Sequence, residues 1–176
     1  MTTLPTLAEL DSIPYINDDG YLPDALVSQI GVYAIFNQDN QLQYIGYSRN
    51  IYLSLKQHLV RQPQQCYSVK AKTIERPNRT ILEDIKTAWI AENGSIPPGN
   101  AADAEYWNQP IQVKPQMSET EIAEYDTLEP LGQEKYMKQV ARRVEAEILE
   151  SLKQRGIQEE IRFNPKLKSS GLLDLK

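Results

Sequence analysis

The sequence predicts an α+β fold: a β-β-α-β-α core with a three-stranded antiparallel sheet, an N-terminal extension before it and a helical C-terminal extension after it. Three observations predict this. Two runs of apolar residues with a period of two, GVYAIF and LQYIGY, flank the turn-forming NQDN and read as a hairpin. A third alternating run, SVKAKTI from Ser68 to Ile74, lies between two stretches whose apolar residues recur at helical spacing. Strands interleaved with helices in this order fit a sheet covered by helices. The boundaries are 1–29 for the N-terminal extension, 30–102 for the core and 103–176 for a C-terminal extension packed on it.

In the N-terminal segment, Thr6 with Glu9 three residues on is a capping-box pattern and predicts a short helix. Turn chemistry follows at Ile13-Pro14 and Asn17-Asp18-Asp19-Gly20, and Leu22-Pro23-Asp24 starts another short helix. After the hairpin, Ser48 or Asn50 caps a helix whose apolar stripe is Ile51, Leu53, Leu55, His58 and Leu59, ended by Gln62-Pro63. Pro77-Asn78 breaks the third strand. Thr80 with Glu83 forms a second capping-box pattern, and Ile81, Leu82, Ile85, Ala88 and Trp89 mark a helix closing at Asn93-Gly94. The segment IPPGN then makes a rigid exit to Asn100. Residues 101–130 are loop-rich, punctuated by Pro110, Pro115 and Pro130, with a short helix from Ser118 and Glu121 at the box position. From Gln133 to Arg155, Met137, Val140, Val144, Ile148 and Leu152 recur at three- and four-residue spacing, and Gly156 follows as a helix stop. That helix either packs on the core or forms a homodimer contact through 133–155. Ile161 to Phe163 reads as an edge strand and LKSSGLLDLK as a mobile tail.

Composition narrows the class. At 40% hydrophobic and 24% charged residues over 176 positions, the chain can fill a globular core. No apolar run reaches the roughly 20 residues of a membrane span, so no membrane partner is expected. The opening MTTLPTLAEL lacks the basic and apolar regions of a secretion signal, and the expectation is a cytoplasmic protein. One cysteine, Cys66, excludes an internal disulfide and a Cys-rich zinc cage within these residues. Its place in a loop or strand start makes it either a buried thiol or an exposed one open to a redox contact. The net charge of -5 hides an asymmetry. Residues 1–48 hold six acids and no Lys or Arg, whereas residues 40–74 hold no acid but Arg49, Lys56, Arg61, Lys70 and Lys72. Such a local positive surface suits phosphate even on an acidic protein, because salt screens charges beyond about 8 Å. The opposed blocks also suggest the acidic N-terminal segment as a cover for the basic strip.

Gly31-Val32-Tyr33, then after a ten-residue gap Tyr44-Ile45-Gly46, and Ser48-Arg49-Asn50-Ile51 ahead of a helix resemble the GIY-YIG nuclease superfamily. The β-β-α-β-α order and a closing asparagine at Asn100 resemble it too, over roughly Gln29 to Ala102. YSRNI, the Gln57-His58-Leu59 helix end, Cys66 ahead of SVK, and WIAE followed by PPGN resemble a cyanobacterial and plastid subgroup, found in plants ahead of a chloroplast monothiol glutaredoxin.

Phosphodiester cleavage needs a deprotonated water, a cation against the growing negative charge, and an oriented leaving group. The resemblance implies that Tyr33 and Tyr44 position or deprotonate the water and that Asn100 orients the site; His58 is a candidate base or phosphate contact, or a helix-end histidine favoured by the dipole, and Arg49, Lys56 and Arg61 of the basic strip are candidate phosphate contacts. The resemblance also implies a DNA partner and Mg²⁺ or Mn²⁺. Two family slots are filled by other residues: Ser54 stands where the arginine is expected and Lys86 where the metal-binding glutamate is. Loss of one preorganised charge stabiliser costs roughly 3 kcal/mol, a hundredfold in rate or more. Glu83, one turn before Lys86, is either a substitute metal ligand or the capping partner of Thr80; Glu92 is a second acid candidate. The expected function is thus a weak metal-dependent DNA endonuclease, the alternative a degenerate nucleic-acid-binding or protein-interaction module.

Overall fold

A computed structural model describes residues 4–176. The chain forms two compact units, one running through Asn108 and taking in Ile157–Glu159, the other made of Gln109–Gly156 and Glu160–Lys176.

In the first unit the hairpin forms as its sequence dictates, from β2 (Ile30–Phe36) and β3 (Leu42–Ser48). The Asn37 carboxamide accepts from the Asp39 and Gln41 amides, and Asn40 takes the left-handed φ of 60° that asparagine tolerates. β4 (Ser68–Ile74) adds on the other side of β2, and the two-residue β1 (Ile13–Pro14) pairs with β4, giving four antiparallel strands in the order β1-β4-β2-β3. The expected three strands are therefore joined by a fourth from the N-terminal segment.

Alternation splits the hairpin between two faces. Val32 pairs with Tyr47 and Ala34 with Ile45, whereas Tyr33 pairs with Gly46 and Ile35 with Tyr44. Helix α2 (Arg79–Asn93) covers the first face, where Leu82, Ile85 and Trp89 form a core with Leu7, Val32, Ala34 and Ile45. Each such side chain contributes on the order of 1.5–3 kcal/mol through burial. Helix α1 (Ile51–Arg61) lies on the second face, with Ile51, Leu55 and Leu59 fully buried. Asn50 is its cap, accepting from the Leu53 amide; Ser48 instead accepts from the Asn50 amide. At α2 the cap is Asn78, bonded to the Ile81 amide, so the Thr80–Glu83 box does not form and Thr80 sits inside the first turn. Gly94 closes α2 at φ 83°.

The first 29 residues are built into this unit. Tyr15 and Leu22 are fully buried, and Leu26 nearly so. Thr6 and Glu9 exchange their capping-box hydrogen bonds around a single turn that does not extend into a helix. The turn is held from α2 and β4: Glu92 accepts from the Leu7 and Ala8 amides, Trp89 Nε1 donates to Pro5 O, and Lys70 Nζ donates to Leu7 O. The acidic segment thus takes up one cation of the basic strip. Tyr15, Leu22 and Leu26 anchor it, while its acids Glu9, Asp11, Asp18, Asp19 and Asp24 stay exposed.

Helix α3 (Ala104–Asn108) ends the unit's main stretch. In the second unit, β5 (Ile111–Gln112) pairs with β6 (Leu172–Leu173), and α4 (Glu119–Asp126) starts from a complete Ser118–Glu121 capping box. Helix α5 (Pro130–Gln154) begins three residues before the expected start, because Pro130 suits a first helical turn. Its Met137, Val140, Val144 and Leu152 are buried within the chain, which leaves that stripe unavailable for the expected homodimer contact. The tail is ordered by a 3-10 helix at Pro165–Ser170, by β6 and by hydrogen bonds such as Val113 N to Gly171 O. Phe163 makes a single bridge to Leu175 rather than a strand. No helix among the described residues is long and apolar enough to cross a membrane.

Candidate functional site

The second face of the sheet carries the hairpin tyrosines. Tyr33 and Tyr44 leave adjacent strands with ring centroids 6.1 Å apart, and His58 reaches them from α1. The Tyr33 hydroxyl and His58 Nε2 are hydrogen-bonded at 2.8 Å. Gly46, cross-strand from Tyr33, makes the packing feasible: a Cβ there would stand 2.6 Å from the Tyr44 ring and 2.9 Å from the Tyr33 hydroxyl.

Helix spacing adds two more groups. Ser54, His58 and Arg61 lie at i, i+4 and i+7 on one side of α1. Ser54 Oγ donates to Ser48 Oγ at 2.7 Å and lies close enough to Tyr33 to favour its phenolate. The Arg61 guanidinium donates from Nη1 to the Trp107 carbonyl at 3.0 Å.

Helix α3 closes the cluster. The Trp107 ring stacks on Tyr44 at 5.2 Å with 1° between planes and lies 5.5 Å from His58. Its neighbour Asn108 accepts a hydrogen bond from the Tyr44 hydroxyl at 2.6 Å. Tyr33, Tyr44, His58 and Trp107 are consequently 3%, 7%, 4% and 2% exposed, with the Tyr44 hydroxyl nearest the surface beside the exposed Asn108. Neither residue of this cover was marked by the sequence reading, which treated 101–130 as loop-rich. The available signal was a tryptophan in an otherwise polar stretch, AEYWNQ.

Closure sets the electrostatics. Burial first, then the neighbouring Tyr44, pushes the Tyr33 phenol well above its ordinary range, and burial likewise raises Tyr44. Burial, then the Arg61 charge, brings His58 from its usual 6.5 down to about 3. The Trp107 carbonyl opposes that shift without closing a hydrogen bond to His58 Nδ1, which has no partner among the described residues. The imidazole is therefore neutral at pH 7 and a poor proton acceptor.

The remaining residues singled out from the sequence lie elsewhere. Asn100 clamps strand β3, its Oδ1 accepting from Ile45 N at 2.8 Å and its Nδ2 donating to Ile45 O at 2.7 Å. It thereby positions the backbone next to Tyr44. Arg49 is exposed in the β3–α1 turn, and Lys56 is half-buried on α1. Glu83 is exposed on α2, whose buried side chains pack on the sheet face opposite Tyr33, and it makes no hydrogen bond or ion pair with Tyr33, Tyr44 or His58. Lys86, one turn on, points its Nζ at the Tyr47 ring, 5.8 Å from the centroid. Glu92 is the N-terminal clamp described above. Among the described residues no three His, Cys, Asp or Glu side chains come together to hold a metal. Glu83 offers a single exposed carboxylate, with Lys86 one turn further along the helix. Cys66 is fully buried, so of its two readings the buried thiol holds and the exposed one open to a redox contact does not.

Comparison with known proteins agrees with the fold. Residues 29–94 match the family model of the GIY-YIG catalytic domain. Over 103 residues the chain is 37% identical to the bifunctional monothiol glutaredoxin-S16, chloroplastic, of Arabidopsis thaliana. The match takes in 56% of this chain and 31% of that protein, so this chain corresponds to about a third of its relative. Tyrosine spacing, strand and helix order and these two matches agree: residues 29–94 of this chain are a GIY-YIG domain, a member of a nuclease-like family related to the one in a chloroplast monothiol glutaredoxin.

Proposed function

We propose that this GIY-YIG domain is a nucleic-acid-binding module, with DNA as its partner, and that its phosphodiester-cutting site is shut. One observation carries the reading: the Trp107 ring stacks on Tyr44 and Asn108 takes up the Tyr44 hydroxyl, which supports a tyrosine pair already occupied by the protein's own side chains. Hydrolysis needs a water beside a group able to take its proton, and burial raises both phenols and lowers the imidazole, which favours their neutral forms. Ser54 and Lys86, in place of an arginine and a glutamate, point the same way. The acid-free stretch 40–74, with Arg49, Lys56 and Arg61, supplies the positive charge for binding.

A second reading, weak hydrolysis of DNA with added Mg²⁺ or Mn²⁺, is favoured by the intact Tyr33–His58 hydrogen bond and by Arg61 two turns along from Ser54. Supercoiled plasmid incubated with each metal separates the two readings, with gel-shift binding of the same DNA in parallel. Salt-sensitive binding without nicking is the expected result. Nicking by the parent that Tyr33→Phe abolishes would replace the first reading with the second. A parent that binds no DNA at low salt would sink both.

A further inference from the structure

Alternation and helix capping bring a second feature together, away from the tyrosines. The end of β3 and the start of α2 enclose a groove of about 430 Å³, lined among others by Tyr47, Arg49, Asn78, Arg79 and Leu82. No carboxylate lines it. Arg49 and Arg79 are both exposed, and neither guanidinium takes part in a hydrogen bond or ion pair among the described residues. The planar guanidinium fork matches a phosphate group in two-point geometry, and two unpaired forks beside one concave surface can act on neighbouring phosphates. Glu83 stands four residues after Arg79 on the same helix, and the two do not pair. The groove's floor is part aromatic: Tyr47 is half-buried, with Lys86 Nζ near its ring as a third positive charge.

We infer that this groove seats the sugar-phosphate backbone of a nucleic-acid strand, with Arg49 and Arg79 on phosphates and the Tyr47 ring against a sugar or base. Charge complementarity favours this occupant: two free guanidiniums suit phosphate oxygens, and an aromatic and apolar floor suits the rest of a nucleotide. The groove also opens on the acid-free stretch 40–74, so no carboxylate from that stretch repels an incoming strand. The inference rests on the nucleic-acid reading above and adds a place to it. Neither Arg79 nor Tyr47 was selected from the sequence.

The test is fluorescence anisotropy with a labelled DNA strand and the matching duplex, titrated at several salt concentrations. Arg49→Ala/Arg79→Ala is compared with the charge-matched control Lys135→Ala/Lys138→Ala in the second unit. Circular dichroism confirms that the variants are folded, as the exposure of all four residues leads one to expect. The arginine pair should weaken binding by about tenfold or more and flatten the log–log salt slope by about two, while the lysine pair leaves both unchanged. Equal binding by the two double variants overturns the groove while leaving the nucleic-acid reading intact. Displacement of DNA by polyglutamate as readily as by unlabelled DNA would assign the groove to an acidic peptide and overturn it too. A parent that binds neither DNA at low salt removes this inference together with the reading it rests on.

Discussion

The ring of Trp107 lies parallel to that of Tyr44, 5.2 Å centroid to centroid, and the next residue's carboxamide holds the Tyr44 hydroxyl. A five-residue helix has thereby become part of the wall of the tyrosine cluster. Trp107→Ala should destabilise the protein by about 3–5 kcal/mol in urea unfolding, as for other large side chains removed from a filled interior. In Trp89→Phe, which leaves Trp107 as the single tryptophan, emission should be blue-shifted and resistant to acrylamide. A solvent-like spectrum would mean that the cover is open in solution.

His58 gives a pH signature free of interference, since it is the chain's one histidine. Its folded-state value is depressed to about 3, so between that value and 6.5 the unfolded chain binds a proton that the folded chain does not. Stability from this group is complete above the unfolded value and is lost as pH falls toward the folded one. Parent protein should lose about 1 kcal/mol per pH unit on going below pH 6.5, and His58→Gln should show a flatter profile down to pH 5. An imidazole NMR signal that titrates near pH 6.5 in the folded protein would refute the buried neutral form.

Gly46 and Gly94 test two different uses of glycine. At Gly46 a methyl group would meet the Tyr44 and Tyr33 rings, and Gly46→Ala should cost about 1–3 kcal/mol through forced repacking. At Gly94 a methyl group meets nothing within 4 Å, but φ is 83°, and Gly94→Ala should cost about 1 kcal/mol through backbone conformation alone. Near-ultraviolet circular dichroism separates them: the aromatic signal should change at Gly46 and stay at Gly94.

What the sequence disclosed follows its physics. Period-two runs around an Asn-rich turn located β2 and β3 to within one residue at an end, because alternation and turn chemistry are local. The ends of α1 and α2 were legible in Gln62-Pro63 and Gly94 for the same reason. The start of α2 was not, because Asn78 and Thr80 are both competent caps and the backbone chose the earlier one. Tyr33, Tyr44 and His58 were picked out by the family resemblance, and they do converge. The cover by Trp107, the burial of Cys66 and the clamping of the N-terminal turn by Glu92 all depend on contacts between distant parts of the chain, between 44 and 107 or 7 and 92. No local pattern records such contacts. The basic strip was visible as charge, but its partition was not: Lys70 is spent on Leu7 O, whereas Arg49 stays free beside Arg79 from another element.

Asn100 offers the sharpest separation of structure from chemistry. Its side chain both accepts from and donates to the backbone of Ile45, as a neighbouring strand would, on the edge strand β3. Asn100→Ala should cost about 1–3 kcal/mol and raise hydrogen exchange at the Ile45 amide, because two backbone groups lose their partner. Asn100→Asp discriminates further. Its ionised carboxylate still accepts from Ile45 N but sets negative charge against Ile45 O, whereas the protonated acid can donate again. The folded-state pKa of that aspartate should therefore be raised, so that the Asp variant is closest to the parent below the unfolded value near 3.9 and falls behind as pH rises through the folded value. Measured as the difference from parent at each pH, the background titration of the other carboxylates cancels. A difference independent of pH would mean that Asn100 does not donate to Ile45 O in solution, and that β3 is held in place by its pairing with β2 alone.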